Sequence, residues 1–323
     1  MNKRRRLLVT LGAATLMAPA LAPGQTATLR RVGVLTTVDT PAFRGLMQFF
    51  FDELKRLGYE DGKNVTLLAR TTGSDYTLLP ALTRELVDAR VDVLVSVNTP
   101  ATRAAVDATK TIPIVMCNVG DPVGSGFVTN MARPGGNVTG ISNMVGDLAP
   151  KRLAVLHELV PGAKRLAVLY NPVDPINEKL LRDTRAAAPK LGLEARAFPV
   201  KTPAELGTVF QQVQDWRAQA AIWLQGQAGP YEPAAIALAE KHKLPMMIGS
   251  SALDGLVTYT NNSPEVYRKT ASHVDKILKG ARPGDLPVEQ PTQFELVINL
   301  KMAKAIGLKV PQSIIIQATR VIE

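Results

Sequence analysis

The feature that most restricts what this chain can fold into is that it runs through one pattern twice. Arg31-Val32-Gly33-Val34-Leu35 is an apolar run of strand length, and Arg165-Leu166-Ala167-Val168-Leu169 echoes it 134 residues later. Leu57-Gly58-Tyr59-Glu60 is echoed by Leu191-Gly192-Leu193-Glu194 at the same offset of 134. Val91–Val95 and Ile112–Met116 find counterparts in Ala220–Leu224 and Leu244–Ile248. Amphipathic stretches separate these runs. Phe43, Leu46, Phe50, Leu54 and Leu57 recur at helical spacing and end at Gly58, a C-terminal cap; Leu78, Leu79, Leu82, Leu86 and Val87 mark a second helix and residues 100–109 a third. Short strands alternating with helices of this length build parallel sheets. Four echoes in one order indicate two copies of a β-α-β-α-β-α-β lobe. A chain of 323 residues is long enough for both.

Open parallel sheets bind ligands beyond the carboxyl ends of their strands. Those ends fall at 36–40, 96–99 and 118–121 in the first lobe and at 170–174, 225–227 and 250–254 in the second. Their residues are mostly small, polar and uncharged, suited to hydrogen-bonding a small solute. The candidate ligand-binding residues are Thr36, Thr37, Asn98, Thr99, Asn118 and Asp121, facing Tyr170, Asn171, Asp174, Gln225, Gln227 and Ser250. Thr99-Pro100 opens a helix whose unbonded amides suit a carboxylate or other electronegative group. Asp121, ahead of Pro122, reads equally well as a helix N-cap. Tyr170 and Asn171 would grip a flat, polar-edged solute, although Asn171-Pro172 is also a turn signal and βα loops are polar in any case.

Residues 1–27 read as a signal peptide. Lys3 to Arg6 form a positive segment, Leu7 to Met17 a short apolar one, and Ala18–Ala22 supplies small-x-small cleavage sites. Arg4-Arg5-Arg6-Leu7-Leu8 fits a twin-arginine leader as well as an ordinary Sec leader. The leader holds four of the formal net charges of +10, and the rest are scattered, with no basic run interleaved with aromatics. Nucleic acid is therefore not the expected partner. Cys117 is the one cysteine, which excludes an intramolecular disulfide and leaves no lipid-anchor cysteine after the cleavage site. The expected location is the periplasm, unanchored, and the expected state a monomer.

Catalytic equipment is missing. His157, His242 and His273 fall in helical stretches with no partner at metal-ligand spacing. No P-loop, G-x-S-x-G, H-E-x-x-H or paired C-x-x-C occurs. Gly124-Ser125-Gly126 reads as a turn at a helix start, and Cys117 as a small core residue. Trp216 and Trp223 fit core positions. No catalytic residue, metal or cofactor is expected, and the chain is not expected to be an enzyme.

Three motifs carry a family resemblance: Asp121-Pro122-Val123-Gly124-Ser125-Gly126 with Arg133–Gly140; Tyr170-Asn171; and Leu286–Glu289 with Val297–Lys301, Ala303, Ala305–Leu308 and Pro311. Together they resemble the ABC-transporter substrate-binding family that includes tryptophan- and tyrosine-binding proteins. The resemblance spans nearly the whole chain after the leader. It implies a type I periplasmic-binding fold: an α/β protein of two Rossmann-like lobes with parallel sheets, joined by three crossovers, with the ligand cleft between the lobes. The crossovers are expected near 142–145, 256–260 and 288–293. Lobe 1 is then 28–143 plus 258–290, and lobe 2 is 144–257 plus 291–323. The implied function is capture of a small polar or aromatic molecule, such as an amino acid or aromatic carboxylate, by lobe closure, with delivery to an inner-membrane ABC permease. A sensor of the same fold feeding a membrane receptor kinase is the alternative. The amino-acid-binding branch follows Tyr-Asn with a Glu and an Asn; here the run is Pro172-Val173-Asp174-Pro175-Ile176-Asn177. That branch often places Asp-Asn where this chain has Gln225-Gly226-Gln227, so Asp174 is the carboxylate left to answer an ammonium group.

Overall fold

A computed structural model of the chain describes residues 29–143, 148–174, 176–224, 231–250 and 253–323. The expected signal peptide and the candidates Gln225 and Gln227 lie outside the described residues.

The first pass of the pattern builds β1 (Arg30–Thr36), α1 (Pro41–Arg56), β2 (Val65–Thr71), α2 (Leu79–Asp88), β3 (Val93–Val97), α3 (Thr99–Ala108), β4 (Ile114–Val119) and β5 (Val138–Ser142). Its strands form a parallel sheet in the order β2-β1-β3-β4-β5. The second pass builds α4 (Ala149–Leu159), β6 (Arg165–Tyr170), α5 (Ile176–Ala187), β7 (Glu194–Pro199), α6 (Leu206–Asp215), β8 (Ala220–Trp223), α7 (Tyr231–Lys241) and β9 (Met246–Ile248). Then come β10 (Val257–Asn261), α8 (Ser263–Leu278), β11 (Phe294–Asn299), α9 (Leu300–Ala305), α10 (Gln312–Gln317) and β12 (Arg320–Ile322). The second sheet runs β12-β11-β10-β9-β8-β6-β7. Its β7-β6-β8-β9 segment repeats the β2-β1-β3-β4 order of the first, which is the duplication in three dimensions.

Local chemistry explains the elements. Thr40 caps α1 by accepting from the Phe43 amide at 3.2 Å, Pro41 stands in the first turn, and Phe43, Met47, Phe50 and Leu54 bury one face. Gly58 and Gly192, the paired glycines of the repeat, both have positive φ, at 94° and 69°. Trp223 is buried on β8 and Trp216 ends α6 against the same core. Cys117 is buried on β4, where burial pushes its thiol up to about 12.

Three features differ from the sequence reading. β10 pairs with β9 of the second sheet, Val257 beside Met247 and Thr258 beside Ile248, so residues 258–261 belong to the second lobe and not the first. The second crossover therefore lies at 261–263. The chain leaves the second lobe along β10 and re-enters along β11, so these two strands run antiparallel, the one exception to parallel pairing among the described residues. Finally, Gly124–Gly126 starts no helix: the Pro122 carbonyl accepts from the Phe127 amide at 2.9 Å, closing the segment into turns that bury Phe127 and Val128.

Between the crossovers, α8 returns to the first lobe. Val266, Tyr267, Ala271, Val274 and Ile277 pack with α1, β1, β3 and β4 in one core, while α2 and α3 cover the opposite sheet face. The crossover strands are bonded side by side: Glu289 donates to the Gly140 carbonyl at 2.9 Å, Ser142 to the Glu289 carbonyl at 2.9 Å, and Asn262 to the Gln293 carbonyl at 2.9 Å. His273 sits beneath them with its ring nitrogens 3.1 and 3.2 Å from the Lys269 and Pro287 carbonyls, a packing role.

Candidate functional site

In both sheets the strand order reverses direction beside the first strand, so the β1/β3 and β6/β8 ends form the crevices where such sheets hold ligands. A cavity of about 670 Å³ opens between the two lobes there. Its first-lobe wall includes Tyr76, Thr99, Pro100 and Asp121; its second-lobe wall includes Val173 and Ile176.

The first-lobe wall is built on an unusual residue. Asn98 takes φ 79° and ψ 172°, a conformation that strains any residue with a Cβ. Its side chain holds the position from both ends: Oδ1 accepts from the Ala101 amide at 3.1 Å, capping α3, and Nδ2 donates to Thr37 Oγ1. Thr37 is fully buried and also bonds the Tyr76 side chain, so Thr37 and Asn98 brace one another. Thr99, the first residue of α3, lines the cavity with a hydroxyl that has no partner among the described residues.

Asp174 stands beside Val173 of the second-lobe wall and is not itself among the residues lining the cavity. Its carboxylate accepts from the Ile176 amide at 3.2 Å and has no cationic partner among the described residues. Burial pushes it up to about 6, against which the single amide bond is a minor correction. Tyr76 of the first lobe lies close enough that, after burial, the Asp174 charge is what most raises its phenol. Tyr76 thus lies within electrostatic reach of Asp174 and of the buried Glu232, both in the second lobe. Asn171 Oδ1 accepts from the Val173 amide at 2.9 Å and its carbonyl from Asn177 Nδ2 at 2.8 Å, a turn role, while its side chain also reaches Tyr231.

The remaining candidates face elsewhere or serve their own loops. Asp121 lines the cavity but spends Oδ1 on the Gly124 amide at 2.8 Å, the cap reading, applied to a turn. Thr36 bonds the Val38 carbonyl at 3.3 Å. Asn118, at φ 62°, sits where the β4–β5 register shifts, its carbonyl bonded to Asn143 Nδ2 at 3.2 Å. Tyr170 packs against the second lobe's core, and the Ser250 carbonyl accepts from Thr258 at 3.4 Å. Tyr76, on a three-residue helical turn (Tyr76–Leu78), was not foreseen, since so short an element has no periodicity. An aromatic between β2 and α2, at a strand's carboxyl end, was the available signal.

A family model described as ABC transporter substrate binding protein matches residues 31–322. Over 284 residues the chain is 26% identical to the tyrosine-binding protein of Clostridioides difficile (strain R20291), covering 87% of this chain and 81% of that one. An ABC domain from Streptococcus pneumoniae, solved in complex with L-Trp, superposes with a TM-score of 0.84 at 26% identity, over 91% of this chain and 100% of that one. A conserved domain protein from Vibrio cholerae gives 0.84 at 28% identity, with the same coverage.

Proposed function

Because this chain belongs to the ABC transporter substrate binding protein family, and so is the solute-binding component of an ABC importer, we propose that its solute is an aromatic amino acid held between the two lobes as they close. In this reading the ammonium lies at Asp174, the carboxylate at the start of α3 beside the Thr99 hydroxyl, and the ring between the lobes near Tyr76. The protein does no chemistry on the solute and passes it to the inner-membrane permease. Its leader directs it to the periplasm.

The observation that carries the reading is Asp174: a carboxylate raised by burial, without a cation, opposite the other lobe. An ammonium brought there restores its charged form and supplies the missing pair. The relatives named for tyrosine and solved with L-Trp support the same class. The alternative solute, an aromatic carboxylate without an amine, would leave Asp174 unanswered. Titration calorimetry with L-tyrosine and L-tryptophan against their des-amino carboxylates separates the two. Amino acids should bind at least tenfold tighter, and Asp174→Asn should abolish the difference. Equal affinities, or preference for the des-amino acids, would reject the amino-acid reading. Mass spectrometry of small molecules released on denaturation identifies the native solute directly.

A further inference from the structure

We propose that Tyr76 sets the solute class: its hydroxyl donates to the solute's carboxylate beside the Thr99 hydroxyl, so the cleft selects molecules with a carboxylate next to an amine. The inference rests on the amino-acid reading above.

Tyr76 is placed by the bonds of its loop. After β2 the chain turns through Ser74 at φ 81°, a conformation that a residue with a Cβ adopts at a cost. The turn is held from the neighbouring strand end: the Thr37 carbonyl accepts from the Ser74 amide at 2.7 Å and from Thr72 Oγ1 at 3.0 Å. Asp75 then caps the short helical turn, accepting from the Thr77 amide at 3.0 Å and the Thr77 hydroxyl at 2.6 Å. These bonds bring the Tyr76 side chain onto Thr37 and the cavity wall.

The hydrogen bonds around Thr37 run one way. The Asn98 side-chain oxygen is taken by the Ala101 amide, so its nitrogen, a pure donor, is what reaches Thr37 Oγ1. The bond between Thr37 and Tyr76 lowers the phenol's pKa, as a bond donated to the phenol oxygen does. Thr37 therefore passes its own proton to Tyr76. The Tyr76 proton is left over, with no acceptor among the described residues. Burial, and then the Asp174 charge, hold the phenol well above its ordinary range, so it stays protonated and remains a donor. Glu232 and Tyr231, at the start of α7, raise it further, so this hydroxyl is turned to the second lobe.

Thr99 follows Asn98 in the chain, and its hydroxyl is unpartnered too. Two open hydroxyls thus flank the Asn98–Thr37 bond, and both residues line the cavity. Asp174 and Glu232 are within electrostatic reach of Tyr76. A bare anion there would meet like charge. A solute whose ammonium lies at Asp174 brings its carboxylate, attached to the same carbon, to the two hydroxyls. A hydrogen bond to a carboxylate is roughly twice as strong as one between neutral groups. Thr37 is a positioning residue in this scheme, since it acts by aiming the Tyr76 proton.

Calorimetric titration of the whole protein with three probes tests this: L-tryptophan, tryptamine, which lacks the carboxylate, and indole-3-propionate, which lacks the amine. Weak binding is read by competition against L-tryptophan. Tyr76→Phe keeps the ring and removes only the hydroxyl. It should weaken L-tryptophan and indole-3-propionate roughly tenfold or more and leave tryptamine unchanged. Thr37→Val, which removes the donor to Tyr76, should shift the ratio of acid to amine in the same direction, and Thr37→Ser should restore it. A variant that melts below the parent is still read by this ratio, because general loosening weakens all three probes alike. Equal losses for the three probes, or no loss in Tyr76→Phe, would overturn the role of Tyr76 and leave the amino-acid reading standing. A parent protein that binds neither L-tryptophan nor L-tyrosine would reject that reading itself.

Discussion

Asn98 offers a measurement in which two small substitutions should behave oppositely. Asn98→Ala removes the cap on α3, a loss of about 1 kcal/mol. It also removes the buried bond to Thr37, about another 1 kcal/mol. Alanine keeps a Cβ, so the strain of φ 79° and ψ 172° remains. The sum is a destabilisation of about 2 kcal/mol. Asn98→Gly loses the same Thr37 bond, but glycine caps nearly as well as asparagine, at a difference of a few tenths. It also releases backbone strain of about 1–3 kcal/mol, offset by about 0.5–1 kcal/mol of extra freedom in the unfolded chain. The glycine variant should therefore lie close to the parent and about 1.5–2 kcal/mol above alanine. Urea unfolding followed by circular dichroism, with the slopes compared before the midpoints are converted, reads the difference. The strained conformation changes what can be expected of Asn98 as a ligand contact. Its truncation cannot leave unfolding untouched, so affinity must be compared in Asn98→Gly and not in Asn98→Ala. If the two variants unfold at the same denaturant concentration, the backbone conformation is not under strain and the account of this wall is wrong.

Asp174 gives a pH dependence of definite sign. Its pKa is raised by burial, from 3.8 to about 6 in the folded chain. The cost to folding is thus absent below about pH 4, grows as pH rises toward about 6, and levels off on the order of 3 kcal/mol above it. Asp174→Asn should remove this part of the pH dependence of unfolding between pH 4 and 7; an unchanged slope would place the titrating group elsewhere. Gly140→Ala should cost more than 3 kcal/mol, because a Cβ at φ 134° would overlap the Met116 backbone; a soluble variant melting with the parent would contradict it. Asn262→Ala removes the cap on α8 and the 2.7 Å bond to Glu295, and should lower stability by about 1–2 kcal/mol in denaturant melts.

What the sequence could reveal followed from what repeats. The apolar runs and the two capping glycines recur locally, so two lobes with one strand order could be read from them. The second crossover could not be read the same way. Val257-Thr258-Tyr259-Thr260 has an ordinary strand pattern, and nothing local says which sheet a strand joins; that depends on which edge is open when the chain arrives. The candidate site was legible by location more than by role. Strand ends located Thr99 on the cavity wall and Asn98 and Asp174 beside it, but Thr36 and Asn118 share those ends and bond their own neighbourhood.

The return of α8 to the first lobe has a consequence for biogenesis. The sheet face that Val266, Tyr267, Ala271 and Val274 cover stays bare until about residue 278 has been synthesised. The second lobe waits longer, for β11 and β12. Domains of many proteins fold one after another as they emerge from the ribosome; here neither half can finish before nearly the whole chain exists. A nascent chain ending before α8 exposes the apolar surface of β1, β3 and β4. The same interleaving that links the lobes therefore delays the compact state until synthesis is nearly complete.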